Sequence, residues 1–371
     1  MEHNTKPMKI NALTRPITSW HRVGQIIEQG KSGEFDSGVL GDPCIVWDSD
    51  RECYHMFYFA QNRTDSHEVN CNAHAISTGG VGPGAWQKLG PLIYENPESL
   101  SGDTHKPWIL MDPYHPNQAA RVNGMHWLFT VSFRGVNKVI QSATAATLDG
   151  PWLVAPQPVV ELGDEYAFDG YHVDAVSAYW FEEKGEILIY YMGYPRRPQP
   201  DQTRSPFGSS NAVAILRPGD RIAAKKGKII APSAVANHWT AGYLGGLQIL
   251  PAADGGWYGI LNASPTPPAP IEEEPMMREP APSLGGWAYT PDEYPLKGWQ
   301  VMEKPIERID EIPQPAINAG EGVNLWRHHL VLMADHSMYL LYNSGPYGNE
   351  RLFGRYISGN HSTTIESDPK V

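Results

Sequence analysis

The 371-residue chain is short of several things, and each shortage excludes something. No apolar run approaches the roughly 20 residues that cross a bilayer as a helix. The opening MEHNTKPMKINALTRP holds no apolar h-region, so the sequence shows no secretory signal and reads as cytosolic. Cysteine is scarce: Cys44, Cys53 and Cys71 are an odd number without metal-site spacing, which points to reduced thiols. Charge is scarce too, at 19 % of residues, and cations are the minority, with 29 Lys and Arg against 41 Asp and Glu. A net charge of −12 argues against nucleic acid or an anionic membrane as partner, because both reward clustered Lys and Arg. Long helical periodicity is also missing.

What the chain does have is Gly (36), Pro (33), Trp (12) and Tyr (18), the profile of a turn-rich all-β protein. It also repeats itself. SWHRVGQIIEQG at Ser19, GAWQKLGPLIYE at Gly84, GPWLVAPQPVVE at Gly150 and KGWQVMEKPIER at Lys297 each join a Trp to a short apolar run ending in an acid. Trp20, Trp86 and Trp152 are 66 residues apart, and Trp299 follows 147 later, leaving room for a copy without Trp at Gly219. A period of this size marks a repeat architecture. The reading is a single five-bladed β-propeller over residues 15–358, with flexible tails at 1–14 and 359–371. The Trp20 copy stands ahead of any complete blade, so it is expected to pair with Arg351–Ser358 and close the ring, which removes exposed sheet edges.

In a propeller the innermost strand of each blade starts near the axis, so polar residues at those starts share one funnel. The candidates are Asp36 and Asp42 in blade one, then Asp103, His105 and Lys106 in blade two. Blade three offers Asp169, His172 and Asp174, blade four His238 and Tyr243, and blade five Glu321 and Asn324. Trp108, Tyr171 and Trp239 are candidate stacking faces. Paired carboxylates are what glycoside cleavage needs, one to protonate the leaving oxygen and one to activate water or attack the anomeric carbon. Neighbouring carboxylates also raise one another's pKa, and aromatic faces stack on sugar rings. An Asp before Pro, such as Asp42, also has a simpler use as a turn former.

The segments GDPCIVWDSDRECYHMFYFA, KPWIL with VIQSATAATLDGPW, HVDAVSAYWFEEKGEILIYYMGY and LLYNSGPYGNERLFGRYIS resemble the blades of five-bladed propeller glycoside hydrolases. That superfamily includes families 43, 32, 68, 117 and 130. The resemblance implies Asp42 as general base and Asp174 as the residue that tunes and orients the acid. The family 43 acid, a Glu before Gly-Pro in blade four, has no counterpart in HWTAGYLGG. Glu321, before Gly322 in blade five, is the expected substitute, with His172 and His238 as alternatives by resemblance to family 117. Asp36 in FDSG is similar to the family 68 nucleophile context and competes with Asp42.

The expectation is therefore an exo-acting glycosidase on a small carbohydrate. Its catalytic residues are Asp42, Asp174 and Glu321. Asp36, Asp103, His105, Lys106, Trp108, Asp169, Tyr171, His172, His238, Trp239 and Asn324 line the substrate site. No cofactor is expected, although an acidic funnel with His would tolerate a Ca ion on the axis. Phosphorolysis, with Lys106 and Arg351 on phosphate, and a non-catalytic sugar-binding propeller are the two alternatives.

Overall fold

The computed structural model describes residues 13–17, 19–64, 67–100, 103–196, 208–265, 283–307, 311–321, 325–333, 335–346 and 348–359. These form five sheets, antiparallel throughout except for one short parallel pairing in blade two. Blade five receives β1 (His21–Gln25). Blade one is β2 (Leu40–Asp48), β3 (Cys53–Thr64), β4 (His67–Ser77) and β5 (Gln87–Pro91). Blade two is β7 (His105–Ile109), β9 (Met125–Arg134), β10 (Asn137–Ala145) and β11 (Trp152–Val154), with the short β6 (Tyr94–Glu95) and β8 (Arg121–Val122) attached. Blade three is β12 (His172–Phe181), β13 (Glu186–Tyr194), β14 (Ser210–Leu216) and β15 (Ala224–Ile230). Blade four is β16 (Tyr243–Pro251), β17 (Trp257–Ser264), β18 (Leu284–Thr290) and β19 (Gln300–Pro305). After a helical turn, α1 (Gln314–Asn318), blade five is β20 (Trp326–Leu332), β21 (Met338–Ser344) and β22 (Arg351–Ile357).

The innermost strands β2, β7, β12, β16 and β20 touch one another in that order, and β20 returns to β2. The ring closes through the chain's own start. β1 runs antiparallel to β22, with His21 opposite Tyr356 and Arg22 opposite Arg355. The repeated Trp marks the approach to an outermost strand. Trp20, Trp86 and Trp299 each stand one residue before β1, β5 and β19, and Trp152 opens β11. Trp299 fits because Gly259 on β17 has no side chain, since a Cβ there would lie 2.8 Å from the indole. The unmarked copy at Gly219 becomes β15 and does without Trp.

The core lies between the blades, where strands buried on both faces, such as β12 and β13, pack sheet on sheet. Of the expected tails, only residues 13, 14 and 359 are described. Leu13 departs from the expectation: it is buried and its backbone bridges to the β16–β17 hairpin at Ala252. The three cysteines are free thiols, and buried Cys44 has its pKa pushed up to about 12 by desolvation. No described helix is long and apolar enough to cross a membrane.

Candidate active site

All five innermost strands break register within their first few residues. The irregularities fall between Gly41 and Cys44, His105 and Trp108, Asp174 and Ser177, Leu244 and Leu247, and Trp326 and His328. Four of them contain a non-glycine residue with positive φ: Asp42 (49°), Lys106 (51°), Ala175 (51°) and Arg327 (24°). Blade four has Gly245-Gly246 at the same place. Such a conformation is uncommon and costs free energy outside glycine. Bulges at the rim of a closed sheet re-aim side chains. Here they deliver Asp42, Lys106, Asp174 and Arg327 to one cavity of about 510 Å³.

Asn343 on β21 holds Asp42 twice. Its Oδ1 accepts the Asp42 backbone N–H at 2.5 Å, and its Nδ2 donates to the carboxylate at 3.0 Å. Asp174 is fully engaged. Lys106 and Lys138 donate to its two oxygens at 2.7 and 2.9 Å, and the Ala175 N–H donates at 2.7 Å. Burial alone would raise the Asp174 pKa, but the two ammonium groups hold it well below the usual carboxylate range. It is therefore an ion-paired anion and carries no proton at neutral pH.

Burial, helped by the charge of Lys138 and Lys106, pushes His105 and His172 down to about 3, so both rings are neutral. His172 Nδ1 accepts the Lys138 backbone N–H at 3.0 Å, which leaves the ring proton on Nε2. Phe59, Phe133, Tyr194, Tyr243 and Trp326 supply aromatic wall, and Glu350 adds a buried carboxyl. The Glu350 carbonyl accepts Leu40 N–H at 3.1 Å, which seats it beside the strand that carries Asp42.

Of the sequence candidates, Asp42, Asp103, His105, Lys106, His172, Asp174 and Tyr243 line this cavity. Others do not. Asp36 and Asp169 occupy matching loops, where Gly30 and Gly163 donate backbone N–H to their carbonyls. Their carboxylates pair with Lys88 (2.5 Å) and Lys225 (2.7 Å) on the outermost strands β5 and β15. They tie the outer edge of a blade to the loop before its first strand. Trp108 lies behind the cavity, its indole N–H on Ala178 O and its face under Arg327. Trp239 is wedged against β18 and β19, donating to Met302 O. Tyr171 packs beside the His172 ring outside the cavity lining, and His238 bonds Thr240. Asn324 lies outside the described residues.

Glu321 is the largest correction. Its carboxylate accepts from Arg22 Nε at 3.0 Å and Tyr342 OH at 2.5 Å, with Arg355 at 3.6 Å. It borders a second cavity, of about 470 Å³, together with Arg22 and Gln25. The reason is strand alternation. Successive residues of β21 face opposite sides, so Asn343 serves Asp42 while Tyr342 serves Glu321. β1 does bring blades one and five together, but it brings Glu321 to the closure and not to the funnel.

Sequence reasoning missed Lys138, Arg327, Asn343 and Glu350. Arg327 had a signal, since it stands at the start of an innermost strand as Asp42 does. Lys138 and Asn343 lie on other strands, where no local pattern marks them. Arg351, considered for phosphate, starts β22 outside the cavity. Among the described residues, one group has metal-ligand spacing: His55, His74 and Asp149, away from the cavity. Within the funnel, Lys106 and Lys138 pair with Asp174.

No protein-family profile matches the chain, and no curated protein matches it in sequence. Solved structures do match. A glycoside hydrolase superposes with a TM-score of 0.68 at 13 % identity, covering 94 % of both chains. A thermostable family-43 glycoside hydrolase superposes at 0.60 with 14 % identity, covering 94 % of this chain and 98 % of its own. A third is described under the GH130 family of mannoside phosphorylases, which contains glycoside hydrolases that target β-1,2 mannosidic linkages in Candida mannan. It superposes at 0.59 with 12 % identity, over 95 % of this chain and 97 % of its own. At such identities the likeness is one of fold, the five-bladed propeller.

Proposed function

We propose that the protein is a glycosidase that cleaves a small glycoside or a chain end in the axial funnel. The observation that carries this reading is Asp42. It is a carboxylate in a strained backbone conformation, clamped by Asn343, on the lining of an aromatic-walled cavity that also holds Glu350. Strain of this kind collects at functional sites, and the cavity volume suits a small ligand. The fold shared with glycoside hydrolases is consistent with it.

In the proposed reaction the Glu350 carboxyl gives its proton to the leaving oxygen as the glycosidic C–O bond breaks. Asp42 activates the water that adds to the anomeric carbon, or attacks that carbon itself. His172 is a poor donor, because a ring held neutral down to about pH 3 has no imidazolium proton to give. Its Nε2–H instead offers a hydrogen bond to a sugar oxygen. Asp174 acts through Lys106 and Lys138, whose ammonium groups it fixes at the cavity wall.

Phosphorolysis is the second reading, because Lys106, Lys138 and Arg327 put three cations in the cavity. A panel of aryl glycosides, with and without phosphate, separates the readings. Hydrolysis without phosphate, lost in Asp42→Asn and Glu350→Gln and kept in Glu321→Gln, is the expected result. Asp103→Asn tests the other carboxyl of the cavity. Binding of sugar without any turnover would overturn both enzymatic readings in favour of a sugar-binding propeller.

A further inference from the structure

Arg327 is buried, and its guanidinium is only partly used. Nη2 donates to Val176 O at 2.5 Å, and the planar face lies over Trp108 with 5.5 Å to the ring centroid. Nη1 is buried with no hydrogen-bond partner, and the residue forms no ion pair among the described residues. The side chain crosses from blade five to the inner strand of blade three. It passes Gly246 of blade four, where a Cβ would lie in ordinary contact with Ala175 and the Arg327 stem.

Other buried polar atoms on the same cavity also lack partners among the described residues: the donors Trp326 Nε1, His172 Nε2 and Tyr243 Oη, and the ring atom His105 Nε2. Of the four carboxylates on the cavity, Asp174 is held by its two lysines and Asp42 by Asn343, and neither Asp103 nor Glu350 forms an ion pair with Arg327 among the described residues. One acceptor is likewise unmet, Gln61 Oε1. A buried guanidinium without a counter-ion is costly. A surplus of unmet donors, one of them cationic, asks for a ligand that brings an oxyanion.

We infer that Arg327, Trp326 and His172 form an anion subsite, and that the sugar cleaved in the funnel carries a carboxylate, as a glycosiduronate does. This rests on the funnel being a sugar site. A monovalent carboxylate fits better than phosphate, because a single guanidinium edge is free while Lys106 and Lys138 are spent on Asp174. Phosphate, with about two negative charges and three strong acceptor oxygens, would leave most of its hydrogen-bonding capacity unmet there.

Calorimetric titration of the intact protein tests the inference, using D-glucuronate, D-galacturonate and D-mannuronate against glucose, galactose and mannose. At least one uronate should bind about ten- to hundredfold more tightly than its neutral parent, the span of a charge-assisted hydrogen bond. Arg327→Met should remove that preference. Trp326→Phe, which keeps the ring and deletes the N–H, should weaken uronate binding several-fold and serves if Arg327→Met does not fold. Equal binding of every uronate and its parent would overturn the inference, as would a preference that survives Arg327→Met. Inorganic phosphate bound more tightly than all three uronates, in an Arg327-dependent way, would assign the subsite to phosphate and overturn it too. Turnover separates the two proposals. Cleavage of neutral aryl glycosides without uronate preference overturns the anion subsite and leaves the glycosidase. Arg327-dependent uronate binding without cleavage of any aryl glycosiduronate supports the subsite and counts against the glycosidase.

Discussion

Replacing Glu321 by Gln distinguishes a structural carboxylate from a catalytic one. The Glu321 side chain is 4 % exposed and Arg355 is 3 % exposed, with Arg22 at 22 %. The three meet Tyr342 and Glu307 where β1 closes the ring. Breaking a buried ion pair by removing one partner costs about 3–5 kcal/mol. The lower end applies here. Both arginines keep Glu307, with contacts of 2.5 to 2.6 Å, and a Gln amide still bonds Tyr342 and Arg22. A chain of this length unfolds with an entropy of about 0.8 kcal/mol/K, so a loss of about 3 kcal/mol lowers Tm by about 4 °C. Differential scanning calorimetry reads that shift, and turnover of an aryl glycoside read in parallel should stay within about twofold. An unchanged Tm together with lost turnover would refute the reasoning and return Glu321 to the chemistry.

Three other outcomes follow from the geometry. A Cβ at Gly41 would collide with the Asn343 amide that clamps Asp42, so Gly41→Ala should cut turnover by about a hundredfold while the protein stays folded, as read by kinetics beside circular dichroism. Deleting residues 1–27 removes β1 and bares the edge of β22, so the truncated chain should self-associate in size-exclusion chromatography where the full chain does not. His74, His105, His172, His328 and His329 are each pushed by burial to about 3, from an ordinary 6.5. The unfolded chain therefore binds more protons than the folded one between those values. Stability is complete above about pH 6.5 and falls as pH drops toward 3, by up to about 1.4 kcal/mol per unit for each ring. Urea midpoints should decline steeply from pH 7 to 5, and a flat profile would show that these rings titrate freely.

Much of the fold was legible because its signals are local. A Trp at the start of four outermost strands, turn residues at hairpins and apolar central strands recur from blade to blade, and each is set by neighbours close in sequence. The displaced Trp20 copy even disclosed the closure, since a strand without a blade must find one. Part of the site was legible for the same reason: Asp42, Lys106 and Asp174 all stand at the opening bulges of innermost strands, and those strands converge on the axis.

The roles of the acids were a different matter. Asp36, Asp169 and Glu321 resemble Asp42 in type and position along their blades, and only the partners that meet them differ. Lys88 and Lys225 arrive from outermost strands, and Arg22 arrives from nearly 300 residues away. Whether a carboxylate faces the funnel or a blade interior depends on strand alternation and on which cation the neighbouring strand presents. Arg327 shows the same limit: its guanidinium reaches Val176 O on blade three, 151 residues away in sequence. The sequence by itself determined the strands, their grouping and the axis on which they meet. The tertiary structure decided which charges are neutralised there and which are left for a ligand, because Coulomb partners are chosen by distance in space and not along the chain.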